Sequence, residues 1–218
     1  MQVLSQINDK KPIISLLVNK IPNKINVEKI GCILPDKSIN FASPASAFEY
    51  AKNKCVKALQ GEKPYEHCII ISENIILQEI KGERTTYPTL SEIKSIKNLK
   101  FMHGHPDMYD KGYTTPISMK DFATLKTYNF DELISFNSLG EYSKIARLNN
   151  SNNLYKDEIP RIKQKWLMLR LKCGRDALLG FKNIVATKRD CKKIHRFWVQ
   201  NAEKLGISYE TNYSNLIK

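Results

Sequence analysis

Two histidines separated by a single residue, His103 and His105, constrain the fold of this chain more than any other feature. They lie in the segment Phe101-Met-His-Gly-His-Pro106, whose apolar start is typical of a β-strand. Side chains at positions i and i+2 of an extended backbone point to the same side, so the two imidazoles can bind one ion. A fold that uses this pair must bring the end of a strand beside the element that supplies the remaining ligand.

A second segment, Pro116 to Asp121, supplies a carboxylate and a hydroxyl. Two histidines and Asp121 make three protein ligands, and zinc bound in this way keeps a fourth position for water, as in catalytic sites. Asp107 and Asp110 are the alternative ligands, because they lie nearer to the histidines in sequence. Ser118 is the candidate donor to an oxyanion. Ser118 and Asp121 also fit a helix capping box, and the two roles are compatible because a cap would hold Asp121 rigidly.

His-x-His-Pro followed by Ser-x-x-Asp, with a glutamate earlier in the chain, resembles the JAMM motif of the JAB/MPN zinc metallopeptidases, in their prokaryotic or phage-like type. The resemblance covers roughly residues 40 to 148. It implies hydrolysis of peptide or isopeptide bonds, often at the C-terminal tails of ubiquitin-like proteins, with Zn²⁺ as cofactor. The site residues that it implies are His103, His105 and Asp121 as metal ligands, Glu66 as general base and Ser118 as oxyanion donor.

Glu66 lies where a predicted helix gives way to a strand, which is the place of the catalytic glutamate in that family. The helix is predicted to begin at Ser43-Pro44, since Ser is a favoured N-cap and Pro a favoured first residue. Apolar residues then recur at helical spacing until Leu59, and Gly61 ends the helix. Other glutamates nearby stay open as alternatives for the base: Glu73, Glu79 and Glu83.

The alternation of strand-like and helical segments predicts an α/β fold of the mixed α+β type, a central mixed β-sheet flanked by helices. The resemblance implies the same architecture, JAB/MPN-like and similar to that of cytidine deaminases. Residues 1–150 form the predicted JAB/MPN-like domain, and the polar run 149–153 leads into a basic helical extension, 151–218. Strands are predicted at 13–18, 29–34, 68–71, 75–77, 99–102, 132–136 and 141–148, a short helix near 89–97, and a loop at 107–115 beside the metal.

The net charge of +13 favours an anionic partner, although a Lys-rich composition is the alternative explanation. Residues 154–218 carry 15 basic and 6 acidic side chains, which is +9 of the total. Two helices are predicted there, with Trp166 and Trp198 on their buried sides. The basic faces, which include Arg161, Lys165 and Lys172, are candidates for binding an acidic partner or nucleic acid, and a solvated surface is the alternative.

Five scattered cysteines without C-x-x-C spacing favour reduced thiols over a disulfide framework or a zinc ribbon. The N-terminal region has no secretory signal, and its apolar run 13–18 is too short for a membrane span. These observations predict a cytoplasmic protein with no membrane partner.

The two remaining histidines, His67 and His195, are predicted to be surface or packing residues. His67 follows Glu66 on the same predicted strand and must therefore point to the opposite face. His195 lies beside Ile194 on the second C-terminal helix.

Three functions stay open: a zinc hydrolase, a catalytically inactive scaffold of the same fold, and a nucleic-acid-associated protein. The scaffold is considered because the twelve residues between His105 and Ser118 exceed the usual spacing of the family, and because Ile69 stands where the family often has a glycine. The hydrolase requires that Asp121 and Glu66 both lie within about 8 Å of the imidazole rings.

Overall fold

The computed structural model describes residues 39–82, 98–105, 116–148, 157–173 and 188–217. Several predicted segments lie outside the described residues: the strands at 13–18 and 29–34, the helix near 89–97 and the loop at 107–115.

One mixed β-sheet forms the centre of the described structure. Its strands are β1 (Ile39–Asn40), β2 (Glu66–Ser72), β3 (Ile75–Gly82), β4 (Leu99–Gly104), β5 (Glu132–Phe136), β6 (Tyr142–Arg147) and β7 (Ile207–Thr211). They lie in the order β1-β3-β2-β4-β5-β6-β7, and neighbours are antiparallel except β4 and β5, which are parallel. The predicted mixed α/β fold class is confirmed.

Helices cover both faces of this sheet. They are α1 (Pro44–Leu59), α2 (Met119–Thr127), α3 (Glu158–Cys173), α4 (Lys188–Asn201) and the single turn α5 (Ser214–Ile217), with a 3₁₀ turn at Glu203–Leu205. One face packs on α1, because the odd-numbered apolar residues of β2 contact its small side chains. The other face packs on α2, α3 and α4. Among the described residues, no helix has both the length and the apolar character needed to cross a membrane.

The predicted start of α1 is confirmed. Ser43 is the N-cap, and its side chain accepts a hydrogen bond from the backbone N–H of Ser46, while Pro44 occupies the first helical position. Ala47, Ala51 and Cys55 recur at helical spacing and are fully buried against the sheet. Small side chains on this stripe let the helix axis approach the strands closely.

The parallel pairing of β4 and β5 decides where α2 begins. Parallel neighbours need a crossover connection, and here the crossover contains α2. The helix runs back from the end of β4 towards the start of β5. Its N-terminus, which carries Ser118 and Asp121, is therefore brought to the end of β4 where His103 and His105 lie.

The C-terminal part of the chain was expected to be a helical extension, and the structure adds a strand that this expectation missed. β7 pairs antiparallel with β6 and extends the same sheet. Trp166 on α3 and Trp198 on α4 are buried in one apolar cluster with sheet residues such as Phe101. The C-terminal residues thus share a core with residues before 150. Where the two predicted domains divide stays a prediction.

Candidate metal centre

His103 and His105 lie side by side at the end of β4. His103 is the fifth residue of the strand and is almost fully buried, and Nε2 of His103 is 2.8 Å from Nε2 of His105. The backbone N–H of His105 donates to the carbonyl of Phe136 at the end of β5, at 2.9 Å. The parallel neighbour therefore continues to hold the chain just beyond β4 and keeps both imidazoles on one side.

The carboxylate of Asp121 lies against both imidazoles. Oδ1 is 3.3 Å from Nε2 of His103, and Oδ2 is 3.5 Å from Nε2 of His105. Ligand atoms about 2.1 Å from a tetrahedral zinc ion are about 3.4 Å apart, so both distances fit one ion. The separation of the two nitrogens is shorter, and a bound ion would require the rings to part by about 0.6 Å. A set of two imidazoles and one carboxylate suits zinc and other first-row metals.

Asp121 owes its position to the capping box at the start of α2, which confirms that prediction. The backbone N–H of Ser118 donates to Oδ2 of Asp121 at 2.6 Å, and the backbone N–H of Asp121 donates to Oγ of Ser118 at 3.2 Å. In this arrangement Oγ of Ser118 acts as an acceptor, so its own proton is left for another acceptor. The cap thus allows the oxyanion role predicted for Ser118.

Glu66 opens β2 and faces the same side of the sheet as His103. Its Oε1 is 3.9 Å from Nε2 of His103, and its side chain is 9% exposed. Glu66, His103 and His105 each offer one ligand atom, and these atoms lie within 4.8 Å of one another. The structure therefore gathers a Glu-His-His group that can hold a metal ion, in addition to the contacts of Asp121. Asp121 and Glu66 both lie within the distance of about 8 Å from the imidazole rings that the hydrolase prediction requires.

The competing acids fall into two classes. Glu73 is exposed in the turn between β2 and β3 and accepts a hydrogen bond from Asn98. Glu79 lies on the opposite face of the sheet from Glu66, because it pairs with Ile69 of β2. Neither is placed with the histidines. Other competitors lie outside the described residues: Glu83, Asp107 and Asp110.

The acidic groups favour positive charge at the histidines. Burial by itself would raise the pKa of Asp121, but the imidazoles of His103 and His105 outweigh it and hold that pKa well below its usual range. Burial likewise opposes a charged His103, and the attraction of Asp121, with a smaller effect of Glu66, raises its pKa all the same. The residues that favour a proton on His103 favour any cation there, so a metal ion would compete with protons for this site.

A second buried pair, His67 and Glu79, lies on the α1 face of the sheet. Nε2 of His67 is 2.7 Å from Oε1 of Glu79, and the hydrogen bond to His67 lowers the pKa of Glu79. His67 is therefore a buried packing residue away from the histidine pair. Of the two roles predicted for it, surface or packing, the structure shows packing. His195 is half-buried, and its Nδ1 lies 3.1 Å from the hydroxyl of Tyr209.

Two contacts that support the site were missed by the sequence analysis. One is the carbonyl of Phe136, which holds His105. The other is the indole of Trp198, whose Nε1–H donates to the carbonyl of Ile117, the residue before Ser118. No local sequence pattern predicts either contact, because each joins residues that are far apart in the chain and that only the folded sheet brings together.

Comparisons of the chain with protein-family models, with curated proteins and with solved structures find no match.

Proposed function

We propose that this protein is a zinc-dependent hydrolase of peptide or isopeptide bonds. The observation that carries the proposal is the convergence of His103, His105 and Asp121, with 3.3 and 3.5 Å between the carboxylate oxygens and the two Nε2 atoms. Three ligands of this kind are those of a catalytic rather than a structural zinc site. Glu66, 3.9 Å from His103, is the remaining acid at the same place.

The metal ligands are His103, His105 and Asp121. Zinc bound there supplies Lewis acidity, which polarises a carbonyl and lowers the pKa of water to about 7. The capping box holds the Asp121 carboxylate, and the neighbouring strand β5 holds the backbone of His105, so both residues are positioned before an ion arrives. A side chain that is already held, such as that of Asp121, loses less conformational freedom when it binds a metal.

Glu66 is the general base. Its carboxylate accepts a proton from the attacking water and returns it to the nitrogen of the leaving amine. The side chain is almost buried beside His103, which keeps it close to the reacting atoms and limits competing hydration. The Ser118 hydroxyl, whose oxygen is already fixed by the N–H of Asp121, donates to the oxyanion that develops on the substrate carbonyl.

The substrate proposed is the tail of a ubiquitin-like protein or another protein or peptide. The residue pattern shared with the JAMM motif supports this substrate class. The twelve residues between His105 and Ser118 exceed the usual length, which supports an inactive scaffold as the alternative.

A nucleic-acid-associated role is a weaker alternative. Arg161, Lys163 and Lys165 are exposed on α3, which favours an anionic partner, either nucleic acid or an acidic protein. Trp166 and Trp198 are buried in the core and cannot serve as a platform on which bases stack. Neutralising Arg161 and Lys165 and measuring the salt dependence of RNA and DNA binding tests this alternative.

The deciding experiment compares wild type with Glu66→Gln and His103→Ala. We expect the purified wild type and Glu66→Gln to carry one zinc per chain, and His103→Ala to carry none. Hydrolysis of di-ubiquitin and of fluorogenic glycine-glycine amides should be present only in the wild type. Glu62→Gln removes the same charge from an exposed turn and should behave as wild type. Wild type without zinc, or Glu66→Gln with full activity, contradicts the proposal.

A further inference from the structure

We propose that Trp198, in the C-terminal part of the chain, is a positioning residue for the metal centre, because its indole fixes the peptide group that holds Asp121. The inference deepens the proposed function and rests on it only for the role of Asp121 as a metal ligand. The C-terminal part of the chain would thus help to position Asp121 through Trp198, a role that its basic composition does not suggest.

A single peptide group links the indole to the carboxylate. Nε1–H of Trp198 donates to the carbonyl of Ile117 at 2.6 Å, and the N–H of that same peptide group, on Ser118, donates to Oδ2 of Asp121 at 2.6 Å. The carbonyl and the N–H of a trans peptide lie in one plane and point in opposite directions. The indole on one side therefore sets the direction of the N–H on the other.

The linked hydrogen bonds also reinforce each other. A carbonyl that accepts a hydrogen bond polarises its amide, and this strengthens the bond donated by the N–H. The effect is larger in a buried setting, and here Trp198 and Ile117 are fully buried. The indole therefore affects both the direction and the strength of the bond that holds Asp121.

The Ile117 peptide depends on this partner. Its carbonyl is buried, and a buried carbonyl without a hydrogen bond is costly, so the peptide would turn to find another donor if the indole N–H were lost. The N–H of Ile117 makes only a long bond of 3.5 Å to Oγ of Ser143 on β6 and cannot hold the segment firmly. Rotation of the peptide group between Ile117 and Ser118 would move the Ser118 N–H away from Asp121.

The indole itself is held in one orientation. Its ring lies 5.7 Å from that of Trp166, 6.2 Å from that of Tyr209 on β7 and 6.2 Å from that of Phe122, the residue after Asp121. These rings belong to α3, the sheet edge and α2. Three elements thus fix the direction of the Nε1–H bond before any metal binds.

The test is Trp198→Phe, which keeps an aromatic ring and removes the donor. Partners that orient a metal ligand are worth about 10- to 100-fold in metal affinity, and we expect a loss of that size for zinc in a chelator competition titration. The visible absorption spectrum of the Co²⁺-loaded protein should also change, because the ligand field depends on where Asp121 lies.

Trp166→Phe is the matched control. Trp166 is a buried indole of the same cluster, and its replacement by Phe keeps an aromatic ring against Trp198; among the described residues it shows no hydrogen bond to the segment 117–121. A loss of packing alone would affect both variants alike. Equal zinc affinity and equal cobalt spectra in the two variants would overturn the proposal.

Two further measurements apply if Trp198→Phe does not fold or if the wild type binds no zinc. If Trp198→Phe does not fold, site-specific replacement of Trp198 by 3-benzothienylalanine retains the bicyclic shape and lacks the N–H. If wild type binds no zinc, the proposed function fails, but the positioning role is still tested by hydrogen exchange of the Ser118 amide. That amide should exchange at least about tenfold faster in Trp198→Phe than in Trp166→Phe, and equal rates would refute the role.

Discussion

Cys68 lies directly opposite His103 in the antiparallel pairing of β2 and β4. Glu66 is two residues before Cys68 and therefore points to the same face, where its carboxylate reaches 3.9 Å from Nε2 of His103. A slip of one residue in this register would carry Glu66 to the α1 face of the sheet. The register of two strands, and not the sequence motif alone, thus decides which glutamate meets the histidines.

The stability of the metal-free protein should depend on pH through Asp121 and His103. The pKa of Asp121 is lowered in the folded state, so its contribution is present above about pH 4 and is lost as pH falls through the folded pKa. The pKa of His103 is raised, so its contribution is complete below about pH 6.5 and is lost as pH rises through the folded pKa.

Urea denaturation in a chelator from pH 3 to 9 measures this dependence. Asp121→Asn should flatten the profile on both sides, because it removes the acid and the main source of the raised pKa of His103. Asp157→Asn, at an exposed position, is the control. An unchanged profile in Asp121→Asn would contradict the coupling.

The buried pair of His67 and Glu79 should matter for stability and not for metal binding. Glu79→Leu leaves the buried Nε2 of His67 without this hydrogen-bond partner and should lower the free energy of unfolding by about 1–3 kcal/mol. Adding His67→Leu should recover most of this loss, since replacing both partners of a buried hydrogen bond by apolar side chains can be nearly neutral. Zinc affinity should stay the same in the double variant, and a tenfold change would show that the two faces are coupled.

Two substitutions at Ser118 separate its cap from its hydroxyl. Ser118→Ala should lower the free energy of unfolding by about 1 kcal/mol, and Ser118→Gly by only a few tenths, because Gly is an acceptable N-cap. Both should reduce the hydrolysis rate about 100- to 1,000-fold if the hydroxyl supports the oxyanion. If the hydrolysis rate falls in Ser118→Ala but not in Ser118→Gly, in parallel with the free energy of unfolding, Ser118 has the capping role alone.

Gly104, between the two histidines, is closely packed on α1, where an added side chain would crowd Leu59. A Cβ added there would lie 3.0 Å from Cδ1 and Cγ of Leu59 at the end of α1. Gly104→Ala should therefore lower the free energy of unfolding by about 1–3 kcal/mol and weaken zinc binding, as the strand shifts. Combining it with Leu59→Ala should restore zinc affinity, while a double variant no better than Gly104→Ala would exclude the steric cause.

Local features of the fold could be predicted from the sequence. The start of α1 at Ser43 and the capping box of Ser118 and Asp121 depend on residues within one helical turn. The strands predicted at 132–136 and 141–148 correspond to β5 and β6, which pair antiparallel across a turn that contains Gly140 at φ +77°. These elements are set by short-range chemistry that single residues reveal.

Features that depend on distant pairing could not be predicted. β7 was missed because Ile207–Thr211 is short and becomes a strand by pairing with β6. The pair of His67 and Glu79 depends on the register of β2 and β3. The hydrogen bond from Trp198 to Ile117 joins residues that only the finished core brings together. The histidine pair itself was found because both ligands lie within three consecutive residues, at the end of β4 and just beyond it.

The late position of β7 has a consequence for biosynthesis. The ribosome completes β6 at Arg147 and must add 60 more residues before it reaches Ile207, which takes roughly 3 to 12 s at ordinary translation speeds. Until β7 is made, β6 lacks this neighbour, and once β6 has left the ribosome its edge can pair with other polypeptides. Chaperones that bind emerging chains would find an unpaired edge there until β7 pairs with β6 and becomes the edge of the described sheet.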